Sequence, residues 1–119
     1  MLKHIMIDLE MNKIKKQYRD DKKLANELIE IGAVKMDDDF NEVDRYQSYV
    51  MPDYGKMDSH IIKLTGITDE KLEGAPGFKD AMQDFEKWIG GGAVTFYSWS
   101  MADIRQFQTE SAFKEYQSE

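Results

Sequence analysis

The sequence predicts one α/β domain, residues 1–119, in which a three-stranded meander and a parallel fourth strand form a mixed sheet that carries helices. The first observation is a series of three strand-like segments, Lys3–Leu9, Leu28–Met36 and Glu42–Val50, followed by an amphipathic, helix-like segment, Phe78–Ile89. The second is a further short apolar segment, Ala93–Tyr97. Because a helical crossover joins parallel strands, this last strand is expected beside the first and parallel to it.

The first three strands follow from local pattern. Lys3–Leu9 is short and apolar, whereas Leu28–Met36 is rich in β-branched residues. Glu42–Val50 alternates apolar and polar residues and closes a hairpin. The turn before it is predicted from side chains that bond their own backbone, Asp37, Asp38, Asp39 and Asn41. Asn12–Asn26 is polar and predicts a loop, or a loop with a helical turn.

Three helices are predicted from the remaining segments. Met57–Leu64 is expected to be a short helix, followed by a compact turn at Thr65–Thr68. Phe78–Ile89 is expected to be a helix because its apolar residues recur at i, i+3 and i+4, until three glycines end it. The last helix is expected to start at Ser100 and run to the end of the sequence, with Ile104 and Phe107 facing inward.

Composition limits the classes of protein that this chain can belong to. Its 119 residues, 41% of them hydrophobic, suit one small domain with one core. No apolar run approaches the ~20 residues of a membrane helix, and the N-terminus lacks a signal-peptide pattern. The sequence has no cysteine, which excludes disulfides, thiolate zinc sites and thiol catalysis. We therefore expect a cytoplasmic protein without a membrane partner.

Charge is distributed unevenly along the chain. The formal net charge of −7 argues against a protein that holds nucleic acid mainly through a basic surface, but it allows an enzyme that meets phosphates through metal ions. One stretch has the opposite sign, because two aspartates accompany six basic residues, Lys13, Lys15, Lys16, Arg19, Lys22 and Lys23. This stretch is either a solvated loop or a contact to a phosphate backbone.

Asp8 and Glu10 follow the apolar run of the first predicted strand. On an extended strand, residues i and i+2 point to the same face, so both carboxylates are directed to one place. Two like charges held close together repel, and a divalent cation such as magnesium relieves that repulsion with oxygen ligands. The pair is therefore a candidate half of a metal site, with a strand that runs out into solvent as the alternative.

Asp103 is the candidate third carboxylate. It follows the fourth predicted strand, and ligands of open α/β sheets bind beyond the carboxyl ends of parallel strands, where the strand order reverses. We therefore expect Asp103 to approach Asp8 and Glu10. The alternative is a capping box, in which Ser100 caps the helix and Asp103 lies in its first turn. Both roles place the carboxylate at the start of the helix, so they are compatible.

Six segments carry a family resemblance in their order along the chain: Ile7–Met11, Glu27–Val34, Tyr49–Pro52, Leu64–Thr68, Ala75–Phe78 and Ser98–Asp103. Together they resemble the DEDD superfamily of 3′→5′ exonucleases, which have a ribonuclease H-like fold. Leu64–Thr68 (LTGIT), Ala75–Phe78 (APGF) and a helix bearing a tryptophan are most similar to its RNA-trimming branch. That branch includes histone-mRNA and small-RNA 3′ exonucleases and bacterial sporulation-inhibitor exonucleases.

The resemblance implies hydrolysis of phosphodiester bonds at single-stranded RNA or DNA 3′ ends, with two Mg²⁺ or Mn²⁺ ions. Asp8 would bridge the two ions, Glu10 would hold the ion that activates water, and Asp103 would support the other ion. Residues expected to contact the terminal nucleotide are Met11, Leu64, Thr65, Gly66 and Ile67. The alternative for the last four is a turn that packs the short helix onto the sheet.

Other residues are expected to be structural. Trp99 is expected in the core rather than as a stacking platform. Glu30 lies inside a predicted central strand, where an unpaired carboxylate is costly, so a hydrogen-bonded structural role is expected. His4 and His60 do not match the general-base motif that the resemblance implies, and both are expected to be structural or exposed.

The sequence also departs from the family pattern. The fourth carboxylate and the general base, normally His and sometimes Tyr, would follow the last helix, and the sequence ends before that point. The expectation is a fragment or a shortened relative with impaired catalysis; the alternative function is a non-catalytic module that binds nucleic-acid 3′ ends or a protein. The edge of the fourth strand would then be exposed, which predicts dimerisation, strand exchange or poor solubility.

Overall fold

A computed structural model describes residues 3–15, 24–98 and 100–116. The elements follow in the order β1 Lys3–Lys13, β2 Asn26–Met36, β3 Glu42–Tyr49, α1 Ser59–Thr65, α2 Asp69–Leu72, α3 Phe78–Ile89, β4 Val94–Tyr97 and α4 Met101–Phe113. This is the predicted α/β fold class, with the addition of the one-turn helix α2, which the sequence pattern did not predict.

The sheet has the predicted mixed topology. Its strand order is β3-β2-β1-β4, with antiparallel pairing between β1 and β2 and between β2 and β3. β4 pairs with β1 in parallel, from Lys3 opposite Val94 to Met6 opposite Tyr97. β1 is therefore central, and β3 and β4 are the edges of the sheet that the structure describes.

β1 is longer than predicted. It continues past Leu9 to Lys13, because its pairing with β2 resumes beyond a bulge between Glu10 and Met11. The acidic pair therefore lies inside a paired strand and not at its end, and the bulge bends the strand next to it. Of the predicted loop between the first two strands, residues 16–23 lie outside the described residues.

The short helix α1 begins two residues later than predicted and ends at the predicted turn. Asp58 caps it, since the Asp58 Oδ1 accepts the backbone N–H groups of His60 at 2.9 Å and Ile61 at 3.3 Å. Gly66 ends the helix in the left-handed conformation, with φ of 75°. The β2–β3 turn also forms as predicted, because the Asp37 carboxylate accepts two backbone N–H groups of the turn.

The main core lies between one face of the sheet and α3. Residues buried on α3 are Phe78, Ala81, Met82 and Phe85, and they pack against the buried side chains of β1 and β2. The bounds of α3 match the prediction, because its apolar stripe ends where Gly90 follows. None of the described helices has the length and apolar character needed to cross a lipid bilayer.

The helix α4 packs differently from α3. Ile104 and Phe107 pack against the core as predicted, but the buried residues of the helix are polar: Asp103, Gln106 and Glu110. The helix ends at Phe113, earlier than predicted, and the backbone N–H of Lys114 still bonds the Glu110 carbonyl at 2.9 Å. A purely apolar pattern does not account for how this helix is held.

The histidines have the structural or exposed positions that were expected. His4 is buried, with its Nδ1 at 2.8 Å from the Tyr97 hydroxyl and its Nε2 at 3.1 Å from the Asp38 carboxylate. His60 is exposed on α1. The prediction for Trp99 falls on a residue outside the described ones.

Candidate active site

Asp8 and Glu10 point to the face of the sheet opposite the main core. Their neighbours Ile7 and Leu9 are buried in that core, whereas Asp8 is exposed and Glu10 is partly buried. This is the period-two alternation expected of a strand. The two carboxylates therefore share one accessible face of β1.

Asp103 approaches the same strand from the start of α4. Ser100 is the N-cap of α4, and the Ser100 Oγ accepts the backbone N–H of Ala102 at 3.2 Å. The backbone N–H of Leu9, one residue from each member of the acidic pair, interacts with the Asp103 carboxylate and acts to lower its pKa. Parallel pairing of β1 with β4 ends at Met6, so Asp103 approaches β1 just beyond the point where β4 leaves it.

Electrostatics show that the three carboxylates are neighbours. Burial raises the pKa of Glu10, and the negative charges of Asp8, Glu30 and Asp103 raise it further. Burial also raises the pKa of Asp103, although the hydrogen bond from Leu9 opposes this change and the charge of Asp8 adds to it. Among the described residues, negative charge is thus concentrated on one face of β1.

Glu30 is a fourth carboxylate at this place. It lies directly opposite Glu10 on β2, and its Oε2 accepts the Gln47 side-chain amide at 2.8 Å. The expected hydrogen-bonded role is therefore confirmed. The effect of Glu30 on Glu10 was not foreseen, because the register that pairs them depends on the sheet and not on local sequence. Like charges directly opposite each other destabilise a sheet.

The donor set fits a divalent cation in chemistry and charge. Carboxylate oxygens are the ligands that Mg²⁺ and Mn²⁺ prefer, and a cation relieves the mutual repulsion that raises the pKa of Glu10. The side-chain positions do not match a metal site. Within the described ranges, no three acidic or histidine side chains are arranged so that they could hold one metal ion. Metal binding therefore requires these side chains to change rotamer.

The repulsion at Glu10 gives a pH-dependent prediction for the metal-free protein. A carboxylate whose pKa is raised by folding contributes most to stability below its ordinary value of 4.5, and that contribution is lost as pH rises through the raised pKa. Glu10→Gln should therefore increase the free energy of unfolding at neutral pH by a few tenths to about 1 kcal/mol. The measurement is urea unfolding in EDTA at neutral pH and below pH 4.5, where the gain should disappear.

Glu42→Gln is the matched control for this prediction. Its carboxylate is hydrogen-bonded to Arg45, which lowers the pKa of Glu42. Neutralising Glu42 should therefore give no gain in stability at neutral pH. An equal gain from both variants would show that overall net charge, and not the local acidic group, determines the effect.

The predicted nucleotide contacts divide into exposed and packed residues. Leu64 is 69% exposed, and Gly66 has open space where a Cβ would stand. Ile67, in contrast, is 3% exposed and packs in a second core cluster, while the Thr65 hydroxyl bonds the Ile61 carbonyl at 2.9 Å. The packing alternative thus accounts for Thr65 and Ile67, and Leu64 and Gly66 are the members of the turn that present a surface.

Met11 and a groove beside Asp8 lie near the acidic pair. Met11 is partly buried against the main core, so only part of its side chain is accessible. A groove of about 450 Å³ adjoins Asp8, and Gly32, Arg45 and Gln47 contribute to its lining. Sequence reasoning did not single out Arg45 or Gln47, because nothing in their local pattern places them beside β1.

The comparison with protein families decides the class of this chain. The family model RNase_T, described as Exonuclease, matches residues 5–115. The chain belongs to this exonuclease family. The predicted membership of the DEDD-type superfamily is therefore confirmed at the level of the family, and the finer assignment to the RNA-trimming branch stays a prediction.

Curated relatives of this exonuclease-family chain include bacterial proteins named DNA polymerase III PolC-type. It is 34% identical over 73 residues to the DNA polymerase III PolC-type of Bacillus subtilis, which covers 61% of the chain. It is 30% identical over 87 residues to the enzyme of the same name from Staphylococcus haemolyticus, which covers 73% of the chain. In both cases the chain spans only 5% of the length of the polymerase.

Solved structures with the same fold are nucleases. Cell-death related nuclease 4 (CRN-4) gives a TM-score of 0.80 at 19% identity, over 98% of this chain and 41% of that one. The nuclease domain of 3′hExo, a DEDDh family member bound to rAMP, gives a TM-score of 0.78 at 19% identity, over 97% of this chain and 60% of that one. Escherichia coli Exonuclease I with a dT13 oligonucleotide gives a TM-score of 0.70 at 14% identity, over 98% of this chain and 24% of that one. These likenesses confirm the ribonuclease H-like exonuclease fold.

Proposed function

We propose that this exonuclease-family chain is a metal-dependent 3′→5′ exonuclease domain that hydrolyses phosphodiester bonds at single-stranded RNA or DNA 3′ ends. The observation that carries the proposal is the approach of Asp103 to Asp8 and Glu10 on one face of β1. There, burial and the charges of Asp8, Glu30 and Asp103 raise the pKa of Glu10. Such a group of acids is costly without a cation, and it lies where open α/β sheets bind ligands.

Asp8, Glu10 and Asp103 would hold the divalent ions. Bound Mg²⁺ or Mn²⁺ supplies Lewis-acid stabilisation of the charge on the phosphate. The protein's part is to orient its ligands: the Leu9 N–H interacts with Asp103, and the alternation of β1 directs Asp8 and Glu10 to the same side. The pairing of Glu30 with Gln47 keeps that neighbouring carboxylate in place.

The exposed part of the α1 turn would receive the terminal nucleotide. Leu64 offers apolar surface to a base, and Gly66, which has no side chain, lets the backbone come close to a sugar. Among proteins with a similar sequence or fold, PolC is named a DNA polymerase, Exonuclease I is bound to a dT13 oligonucleotide, and 3′hExo is bound to the ribonucleotide rAMP. The proposal therefore includes both RNA and DNA.

Turnover by this chain is expected to be slow. The histidine within the main part of the fold, His4, is held by Tyr97 and Asp38, and His60 is exposed on α1. In the described structure, neither histidine is bonded to Asp8, Glu10 or Asp103. General acid–base catalysis commonly contributes about 10²–10⁴-fold to the rate, and its absence would slow the reaction by that amount.

The test is an incubation of 5′-fluorescent single-stranded RNA and DNA with excess protein and Mg²⁺ or Mn²⁺. A ladder that shortens from the 3′ end and stops in EDTA is the expected result. A substrate that stays intact with both metals, at protein excess and long incubation, would contradict the exonuclease proposal. Internal cleavage without a ladder would contradict the 3′→5′ direction.

The alternative is a non-catalytic module that binds nucleic-acid 3′ ends or a protein. The observation that favours it is that no described trio of acidic or histidine side chains is arranged to hold a metal ion. Fluorescence anisotropy of the same oligonucleotides in EDTA distinguishes the two. Metal-independent binding without shortening would favour the module.

A further inference from the structure

The polar face of α4 is unusual because it is buried. Asp103, Gln106 and Glu110 are buried, and Lys114 follows on the same side, at i, i+3, i+7 and i+11. On α3 the corresponding buried positions are all apolar. Burying polar groups is costly unless each finds a partner, so the partners of this face show what it does.

Two of these side chains bond the backbone of β2, and Asp103 interacts with the N–H of Leu9 on β1. The Gln106 Nε2 donates to the Asn26 carbonyl at 2.9 Å, and the Glu110 Oε1 accepts the Leu28 N–H at 2.8 Å. The described β3 pairing with β2 ends at Glu30, so α4 bonds the part of β2 that lies beyond it. The helix is thus attached to β1 at one end and to β2 at the other.

Lys114 holds the end of the helix that is attached to β2. Its Nζ lies 2.9 Å from Glu27, 2.8 Å from Asp53 and 2.8 Å from Glu110. The side chains of Glu27 and Glu110 are fully buried. Removing one partner from a buried ion pair leaves an uncompensated charge, which is strongly destabilising for that arrangement.

Glu27 extends the same network towards α1. Its two carboxylate oxygens accept the backbone N–H groups of Asp53 at 2.7 Å and Tyr54 at 2.9 Å. These residues belong to the segment that leads into α1, which carries Leu64 and Gly66. One lysine therefore connects the helix that bears Asp103 with the segment that leads to the proposed nucleotide contacts.

We infer that Glu110 and Lys114 are positioning residues, which hold Asp103 in the candidate site by fixing the far end of α4. The expected effect on metal binding and catalysis rests on the proposed function, whereas the contacts that hold α4 do not depend on it. Residues 103 and 114 are about 16 Å apart along the helix, so a tilt at Lys114 moves Asp103. A displacement of about 1 Å in a catalytic constellation can cost about 10²-fold in rate.

The experiment compares Lys114→Met, Lys114→Arg and Glu110→Gln in the full chain. Two properties are measured on the folded proteins: the NMR chemical shift and hydrogen exchange of the Leu9 amide, and Mn²⁺ affinity by calorimetry. Lys114→Met should shift the Leu9 amide, speed its exchange and weaken Mn²⁺ binding about tenfold or more. Lys114→Arg should leave the Leu9 amide and the Mn²⁺ affinity closer to those of the wild type. Glu110→Gln, which keeps an acceptor for the Leu28 N–H, should have a smaller effect of the same kind.

Lys35→Met is the matched control. The Lys35 Nζ donates to the Trp88 carbonyl at 2.5 Å and lies 4.5 Å from the Trp88 ring centroid, so it ties β2 to α3 instead of α4. It should lower thermal stability without moving the Leu9 amide or changing Mn²⁺ affinity. A general loss of stability would change the Leu9 amide and the Mn²⁺ affinity alike in Lys114→Met and Lys35→Met.

The outcomes separate this inference from the proposed function. A folded Lys114→Met protein with the wild-type Leu9 amide and wild-type Mn²⁺ affinity would overturn the inference. If Lys114→Met does not fold, the same result with Glu110→Gln overturns it. A wild-type chain that binds no Mn²⁺ would contradict the proposed metal site, and a Leu9 amide that still responds to Lys114→Met would support the positioning role even then.

Discussion

Asp8→Ala is expected to remove measurable Mn²⁺ binding and to lower hydrolysis of a single-stranded oligonucleotide by about a hundredfold or more. Asp8 is the most accessible carboxylate of the group, and its charge acts on both Glu10 and Asp103. A metal ion in such a site supplies several kcal/mol of transition-state stabilisation, and each 1.36 kcal/mol is about tenfold in rate. Calorimetric titration of Mn²⁺ and the ladder assay measure the two effects.

Asp39→Ala is the control for this substitution. It makes the same chemical change in the exposed β2–β3 turn, where the carboxylate lies on another part of the surface. Its Mn²⁺ affinity and activity should equal those of the wild type. Unchanged binding in Asp8→Ala would show that metal binds elsewhere, and unchanged activity would show that the nuclease in the preparation is a contaminant.

Phe85→Ala is expected to lower the free energy of unfolding by about 3–5 kcal/mol. Phe85 is 2% exposed, and its ring stacks on Trp88 and on Phe107 with centroids 6.0 Å and 5.9 Å away. It also contacts Tyr46 at 5.2 Å, so a single side chain joins α3, α4 and β3. Since small domains have only about 5–15 kcal/mol of stability in total, much of it is lost.

Urea unfolding followed by circular dichroism measures this change, and Phe40→Ala is its control. Phe40 is 57% exposed in the β2–β3 turn, so its replacement should cost less than about 1 kcal/mol. Equal losses in the two variants would mean that the core does not depend on the contacts of Phe85 between the two helices.

The parts of the fold that the sequence predicts are those with a local period. α3 has its predicted bounds because its apolar residues recur on one face and a glycine follows, and the β2–β3 turn forms because Asp37 bonds its own backbone. The parallel placement of β4 beside β1 follows from the crossover helix. Each of these features depends on neighbours in sequence or on a general rule of topology.

The parts that could not be predicted depend on contacts between distant residues. β1 extends past Leu9 because β2 pairs with it beyond a bulge, and a run of polar residues gives no sign of that pairing. The buried face of α4 lacks an apolar stripe, because its Glu110 is paired with Lys114 and with the backbone of β2. Glu30 reaches Glu10 only through the sheet register.

The position of β1 between β2 and β4 has a consequence for the order in which the chain folds. The β1–β2–β3 meander pairs strands that follow one another in sequence, whereas Lys3 must wait for Val94 before its other side is paired. Forming contacts over so long a loop is slow, because the entropy of closure is lost before the contacts are made. We therefore expect the candidate site to assemble last, when α4 docks, so that a folding intermediate containing only the meander would have Asp8 and Glu10 without Asp103.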